Sequence, residues 1–335
     1  MEFPGSLIFD DNLSFHEKCR QVFEYQYSEN AVYRRFCDQL DTTPDTLSSG
    51  ASPPKIPIEA FKESRLYAAA EKNPDLIFRS SGTGTMQRST HYVADKGIYR
   101  KSILEGWKRH YPAESFVVWA YTPGYNENPE SSLIHMLQML IEESARHLSK
   151  FLPLQKPLPS GGIEKIAKNG EQLILFGAAF GLVEMAEKYP VKLPENSIII
   201  ETGGMKTYRK EMARSEMHEL LARRFSLPKG RIHSEYGMAE MLSQAYAGAD
   251  GWFTTPHWLQ VDIHEPQNPL KTVAEGEEGL IGITDLANIY SCPFFLTGDR
   301  GLKRSDGAFQ VLGRYNQRNL RGCNFLMEEE LAADE

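Results

Sequence analysis

Apolar residues along this chain repeat with two periods, and the repeat changes several times. Between residues 14 and 40, Phe15, Cys19, Val22, Phe23 and Tyr27, then Val32, Tyr33, Phe36 and Leu40, recur at helical spacing. Two helices are predicted there, with Asn12 or Ser14 as the cap. Residues 42–57, rich in Thr, Ser, Gly and Pro, read as a loop. Short elements at Ile58–Lys62 and Ala68–Glu71 lead into an apolar strand, Leu76-Ile77-Phe78.

From there strands and helices alternate. Strands are predicted at Phe116–Tyr121, Leu173–Gly177, Ser197–Glu201 and Arg231–Glu235. Helices are predicted at about Lys96–His110, Ser131–Leu148, Phe180–Lys188 and Ser215–Phe225. Such alternation predicts α/β layers around a largely parallel sheet. Beyond Trp252 the pattern turns to short strands at Leu259–His264, Gly279–Asp285, Phe294–Leu296 and Ala308–Leu312, as in a β-rich subdomain. The expected organisation is an N-terminal helical segment (1–72), an α/β core (73–250) and a β-rich subdomain with a C-terminal tail (251–335).

Composition narrows the function classes. The 335 residues are 41% hydrophobic and 24% charged, ordinary for a globular protein. The net charge of −8 argues against a general nucleic-acid binder. No apolar run approaches a membrane span, and the N-terminus lacks the charge and apolar core of a signal peptide. The four cysteines, Cys19, Cys37, Cys292 and Cys323, lack the spacing of a zinc site. A reduced, cytoplasmic setting is expected.

The candidate chemistry lies where strands end, because open α/β sheets bind ligands at the carboxyl ends of their strands. The first such segment follows Phe78. Ser80, Ser81, Thr83 and Thr85 interleave with Gly82 and Gly84, and Arg88 follows. Glycine backbone and hydroxyls can wrap phosphate oxygens, and a cation can offset their charge. A solvated Ser/Thr/Gly turn is the plainer alternative. A Walker A loop is excluded, since Gly-Lys-Ser/Thr is missing. Three further polar segments follow strands: Glu201-Thr202-Gly203-Gly204-Met205-Lys206, His233 to Glu240, and Thr297-Gly298-Asp299-Arg300 with Gly313-Arg314.

Together these segments resemble the adenylate-forming superfamily of acyl-CoA synthetases, luciferases and adenylation domains. Ser80 to Arg88 is similar to its Ser/Thr/Gly phosphate loop, with Gly84 and Thr85 in swapped order and Arg88 for the usual Lys. Tyr236-Gly237-Met238-Ala239-Glu240, Thr297-Gly298-Asp299 and Gly313-Arg314 are similar to later motifs. Glu-Thr-Gly-Gly-Met-Lys, Glu-Tyr-Gly-Met-Ala-Glu-Met and Leu320-Arg321-Gly322-Cys323 narrow the resemblance to acyl-protein synthetases of the LuxE type.

The resemblance implies the large-domain fold of that superfamily, with layered α/β subdomains and a small β-rich one, lacking the usual mobile C-terminal domain. It implies ATP and Mg²⁺, a fatty or aryl acid substrate, and an acyl-acceptor protein such as a fatty-acid reductase. It puts Ser80, Ser81, Gly82, Thr83, Gly84, Thr85 and Arg88 on phosphates, with Arg88 catalytic. Gly203, Gly204, Tyr236 and Gly237 would flank the base. Glu240 would bind Mg²⁺, Asp299 the ribose hydroxyls, and Arg314 ribose or phosphate. Cys323, near Arg318 and Arg321, would accept the acyl group. The alternatives are an aryl- or acyl-CoA ligase of the phenylacetate type and a non-catalytic acyl- or nucleotide-binding protein. An acyl pocket is expected from Phe176–Phe180 and the helix at Ser131–Leu140.

Overall fold

The computed structural model describes residues 3–48, 50–69, 72–80, 88–112, 115–122, 128–145, 147–203 and 212–315. In chain order the helices are α1 (Phe15–Glu29), α2 (Ala31–Gln39), α3 (Ala60–Glu63), α4 (Lys96–His110), α5 (Ser132–Glu143), α6 (Ser160–Asn169), α7 (Ala179–Lys188) and α8 (Arg214–Phe225). The strands are β1 (Ile56–Pro57), β2 (Leu76–Arg79), β3 (Thr90–Val93), β4 (Phe116–Tyr121), β5 (Lys150–Phe151), β6 (Gln172–Ala178), β7 (Ile198–Thr202) and β8 (Ile232–Tyr236). They continue with β9 (Ala245–Ala247), β10 (Phe253–Thr254), β11 (Leu259–His264), β12 (Gly279–Asp285), β13 (Phe294–Lys303) and β14 (Phe309–Arg314).

Two compact units result. The first holds the described residues of Met1–Tyr99, Glu240–Leu242 and Thr255–Glu335; the second holds those of Arg100–Ala239 and Ser243–Thr254.

In the second unit the strand order is β10-β9-β8-β7-β6-β4-β5. β5, β4, β6, β7 and β8 run parallel, and β9 and β10 add antiparallel strands at one side. β4 and β7 are buried along their whole length, as parallel strands covered on both faces must be. Val117 and Trp119 of β4, Leu173 and Leu175 of β6 and Ile199 of β7 form one apolar core with Leu182, Leu221 and Phe225 from α7 and α8.

Two helices of this unit differ from expectation. α5 stops at Glu143 rather than Leu148, because the Ala145 N–H donates to the Phe116 carbonyl at 3.0 Å instead of continuing the helix. α6, not anticipated, begins Ser160-Gly161-Gly162, which reads as a turn. A side chain at Gly162 would meet the Trp119 ring at 2.9 Å, so glycine lets the helix lie on that indole. Gly170, at φ +72°, ends it in the left-handed conformation glycine favours.

In the first unit β11, β12, β13 and β14 form an antiparallel sheet, and β1 runs parallel to β13. β2 and β3 form a separate hairpin. α1 carries a complete capping box, Ser14 with Glu17. The N-terminal helices are bound to the β-rich part by buried amides: Gln26 Nε2 donates to the Ile289 carbonyl at 2.6 Å and Asn30 Nδ2 to that of Ser291 at 2.9 Å. Phe23 and Tyr33 pack on Phe294 with centroids 6.2 and 5.5 Å apart. An ion network lies behind this core. Lys55 Nζ, on a side chain only 1% exposed, is 3.1 Å from Asp262 Oδ2, and Lys303 Nζ is 3.4 Å from Oδ1. Burial raises the Asp262 carboxyl, but Lys55 and Lys303 outweigh it and hold it below its usual range.

Candidate active site

The hairpin β2–β3 frames the phosphate-loop candidate. Residues 76–79 pair with 93–90, so the loop leaves and re-enters at Ser80 and Ser89. That neck is closed twice, by the Ser80 N–H on the Ser89 carbonyl at 3.2 Å and the Ser89 N–H on Ser80 Oγ at 3.0 Å. The Arg88 guanidinium folds back, Nε donating to the Ser80 carbonyl at 2.6 Å. Ser81, Gly82, Thr83, Gly84 and Thr85 lie outside the described residues.

Glu240, distant in sequence, sits against this neck. The Ser89 hydroxyl donates to Glu240 Oε1. The Glu240 main chain is held separately. Asn288 Nδ2 donates to its carbonyl at 2.8 Å, and Asp285 Oδ2 accepts the Leu242 N–H at 2.9 Å. Burial raises the Glu240 carboxyl above its ordinary range. Its Ser89 bond and the charges of Lys62 and Arg314 act the other way. A buried carboxylate in this condition gains from a nearby cation. Among the described residues no cluster of three His, Cys, Asp or Glu could hold a metal by itself. A Mg²⁺ bound through one carboxylate and nucleotide phosphates needs no such cluster, and Glu240 fits that role.

Asp299 and Arg314 face each other across β13 and β14 in register, with Arg314 Nε 3.3 Å from Asp299 Oδ1. The Arg314 side chain is 71% exposed and that of Asp299 14%. With the Arg314 end in solvent, the pair adds little stability. The Thr-Gly-Asp segment, expected to follow a short strand at Phe294–Leu296, is itself strand, which runs on to Lys303. Gly301 permits this, since a side chain there would meet the Gln310 carbonyl at 2.5 Å. Ser80, Arg88, Glu240, Asp299 and Arg314 thus all belong to the first unit.

Gly203, Tyr236 and Gly237 belong to the second unit, at the carboxyl ends of the neighbouring parallel strands β7 and β8. Gly203 is exposed and takes φ +76°; Gly204 and Lys206 lie outside the described residues. Tyr236 is buried, and its ring meets Phe253 edge-on at 5.9 Å. Two successive cross-strand pairs bolt these strand ends. Ser234 Oγ donates to Glu201 Oε1 at 2.5 Å, and the Thr202 hydroxyl donates to Glu235 Oε2. Arg214 Nε also approaches Glu201, at 3.3 Å. Burial pushes the Glu235 carboxyl up to about 7 against the Thr202 bond, and Glu201 adds to the rise. Ser89, Asp285, Asn288, Thr202 and Glu235 were not singled out in the sequence. Ser89, next to Arg88, and Thr202 and Glu235, inside motif segments, carried at least a positional signal.

Of the segments expected to shape an acyl pocket, Phe176–Phe180 and Ser131–Leu140, the residues Phe176–Ala179, Ser131, Met136, Leu137 and Leu140 are buried and Phe180 is half-buried. Gly177 has a packing reason, since a side chain there would meet the Tyr121 carbonyl at 2.4 Å. His233 is tied to Tyr111 and the Gly230 carbonyl, and burial lowers its pKa. Burial pushes the thiols of Cys19, Cys37 and Cys292 up to about 12, which keeps them protonated and inert. Cys323 lies outside the described residues. Among those described, no helix is long and apolar enough to cross a membrane.

This architecture is that of the adenylate-forming, luciferase-like ligases. The structure matches 2-hydroxyisobutyryl-CoA ligase in complex with 2-HIB-AMP and CoA at a TM-score of 0.64, over 90% of this chain and 69% of that one, with 14% identity. It matches ATP-bound MatB from Rhodopseudomonas palustris at 0.53, over 85% and 58% of the two chains, with 15% identity. Within that class, the family described as acyl-protein synthetase, LuxE, matches residues 150–332, and the chain belongs to it. The long-chain-fatty-acid–luciferin-component ligase of Aliivibrio fischeri is 21% identical over 98% of this chain and 91% of its own length. The ligase of the same name from Vibrio harveyi is 19% identical over 93% and 86%.

Proposed function

We propose that the protein activates a long-chain fatty acid as its acyl adenylate and passes the acyl group to the Cys323 thiol. The observation that carries this reading is the closure of the phosphate-loop hairpin on Glu240 through Ser89, within a chain of the LuxE family.

In the first half-reaction a carboxylate oxygen of the acid attacks the α-phosphorus of ATP. The bond to the bridging oxygen breaks, and pyrophosphate leaves with its electrons. Ser81, Thr83 and Arg88 hold the phosphates and balance the charge that develops on the departing group. Mg²⁺ at Glu240 would supply further charge neutralisation on the phosphate oxygens. Tyr236 and the glycines 203, 204 and 237 receive the adenine, Asp299 accepts from the ribose hydroxyls, and Arg314 contacts ribose or phosphate.

In the second half-reaction the Cys323 thiolate attacks the acyl carbonyl and AMP leaves, giving a thioester. Arg318 and Arg321 favour the thiolate by their charge. The thioester then delivers the acyl group to an acceptor protein, for which a fatty-acid reductase is the expected class.

The test is pyrophosphate exchange into ATP, measured with and without added fatty acids. Exchange that requires the acid is expected. No exchange with aryl, short-chain or long-chain acids would leave a nucleotide- or acyl-binding protein instead.

A further inference from the structure

β7 and β8 end side by side, and each releases a glycine the nucleotide would meet: Gly203 directly after Thr202, and Gly237 two residues after Glu235. Thr202 and Glu235 are register partners, and their side chains are hydrogen-bonded to each other. Glu235 is 7% exposed. Its other carboxyl oxygen fills the space under the Gly237 backbone, where an added side-chain carbon would stand 2.4 Å from Oε1. A glutamate end is flexible and could normally move aside. This one is pinned by Thr202, so the absence of a side chain at 237 and the presence of one at 235 are linked.

We propose that Glu235 is the positioning residue of the adenine seat: bonded to Thr202 and lodged under Gly237, it fixes the two glycine-bearing strand ends relative to each other. The proposal rests on the reading of Tyr236 and these glycines as nucleotide contacts. It needs no contact between Glu235 and ATP.

The groups facing Glu235 are Thr202 and Glu201 from β7 and Tyr111 after α4, whose phenol is held protonated by burial first and by Glu235 second. Gln244 packs over the same glycine. Arg214 and His218 address Glu201.

The experiment measures ATP affinity of the full chain by calorimetry for wild type, Glu235→Ala, Glu235→Gln, Gly237→Ala and the double variant Glu235→Ala/Gly237→Ala, with acid-dependent exchange followed in parallel. Glu235→Ala is expected to weaken ATP binding roughly tenfold, the equivalent of one hydrogen bond, and to raise KM for ATP with kcat nearly unchanged. Glu235→Gln, which keeps an acceptor for Thr202, restores most of the affinity. The effects of Glu235→Ala and Gly237→Ala are expected to be non-additive, the double variant losing less than the product of the two. Equal affinity in wild type and Glu235→Ala, or no rescue by Gln, would overturn the proposal, and so would additive losses. If the wild type exchanges pyrophosphate and affinity is unmoved, only the positioning role fails. If exchange is absent but affinity falls as described, the adenylation reading fails and the positioning role stands.

Discussion

Replacing Glu235 by Gln removes one proton-binding group whose folded and unfolded states differ widely in affinity for that proton. Burial holds the carboxyl at about 7 in the folded chain, against 4.5 when exposed. Below the lower value both states are protonated and the group does not affect folding. Between the two values the unfolded chain loses its proton while the folded chain keeps it, so stability falls as pH rises. Above the higher value both are ionised and the loss is complete. A shift of this size corresponds to ~3 kcal/mol, most of it developed between about pH 5 and pH 8. Urea unfolding of wild type and Glu235→Gln at both ends of that range isolates the term, since every other titrating group is shared. The wild type should lose ~2–3 kcal/mol more than the variant on going to the higher pH. Parallel pH dependence of the two proteins would refute the buried, proton-holding carboxyl and the packing assigned to it.

Other perturbations test separate parts of the molecule. Glu240→Gln should lower acid-dependent exchange by roughly a hundredfold or more, and Ser89→Ala by about tenfold, with folding retained in both by circular dichroism. Cys323→Ser should leave exchange intact while abolishing hydroxylamine-sensitive acylation of the chain, read by intact mass. Asp262→Ala strands the Lys55 charge, whose side chain is 1% exposed, and should destabilise the protein by ~3–5 kcal/mol in urea unfolding. Ser14→Ala removes the capping box of α1 and should cost ~1 kcal/mol in the same assay.

The parallel core was legible because burial on both faces leaves long apolar runs such as Phe-Val-Val-Trp-Ala-Tyr in β4 and Ile-Ile-Ile in β7. α4, α7 and α8 were legible within a residue or two from their apolar spacing. β3 escaped notice because Thr-His-Tyr-Val is short and half polar, and it becomes a strand only by pairing with β2. β5, β9 and β10 are two or three residues long and exist through their neighbours. β13 reads as a turn from Gly298 to Gly301, and pairing with β14 on one side and β12 on the other keeps it extended. At the site, strand-end position pointed to the polar segments, and the resemblance to the family pointed to Glu240, Asp299 and Tyr236 within them. Nothing local could show that Ser89 reaches Glu240, or that Asn288 holds the Glu240 carbonyl. Those contacts join residues far apart in sequence, and their side chains are common in turns and loops.

The fate of the carboxylate oxygen tests the adenylation chemistry most directly. The full chain is incubated with ATP, Mg²⁺ and a long-chain fatty acid labelled with oxygen-18 in both carboxyl oxygens, and the nucleotide product is analysed by mass spectrometry. Attack on the α-phosphorus followed by acyl transfer leaves one labelled oxygen on AMP and none on pyrophosphate. Label in inorganic phosphate with ADP as the nucleotide product, or unlabelled AMP, would contradict an acyl-adenylate intermediate.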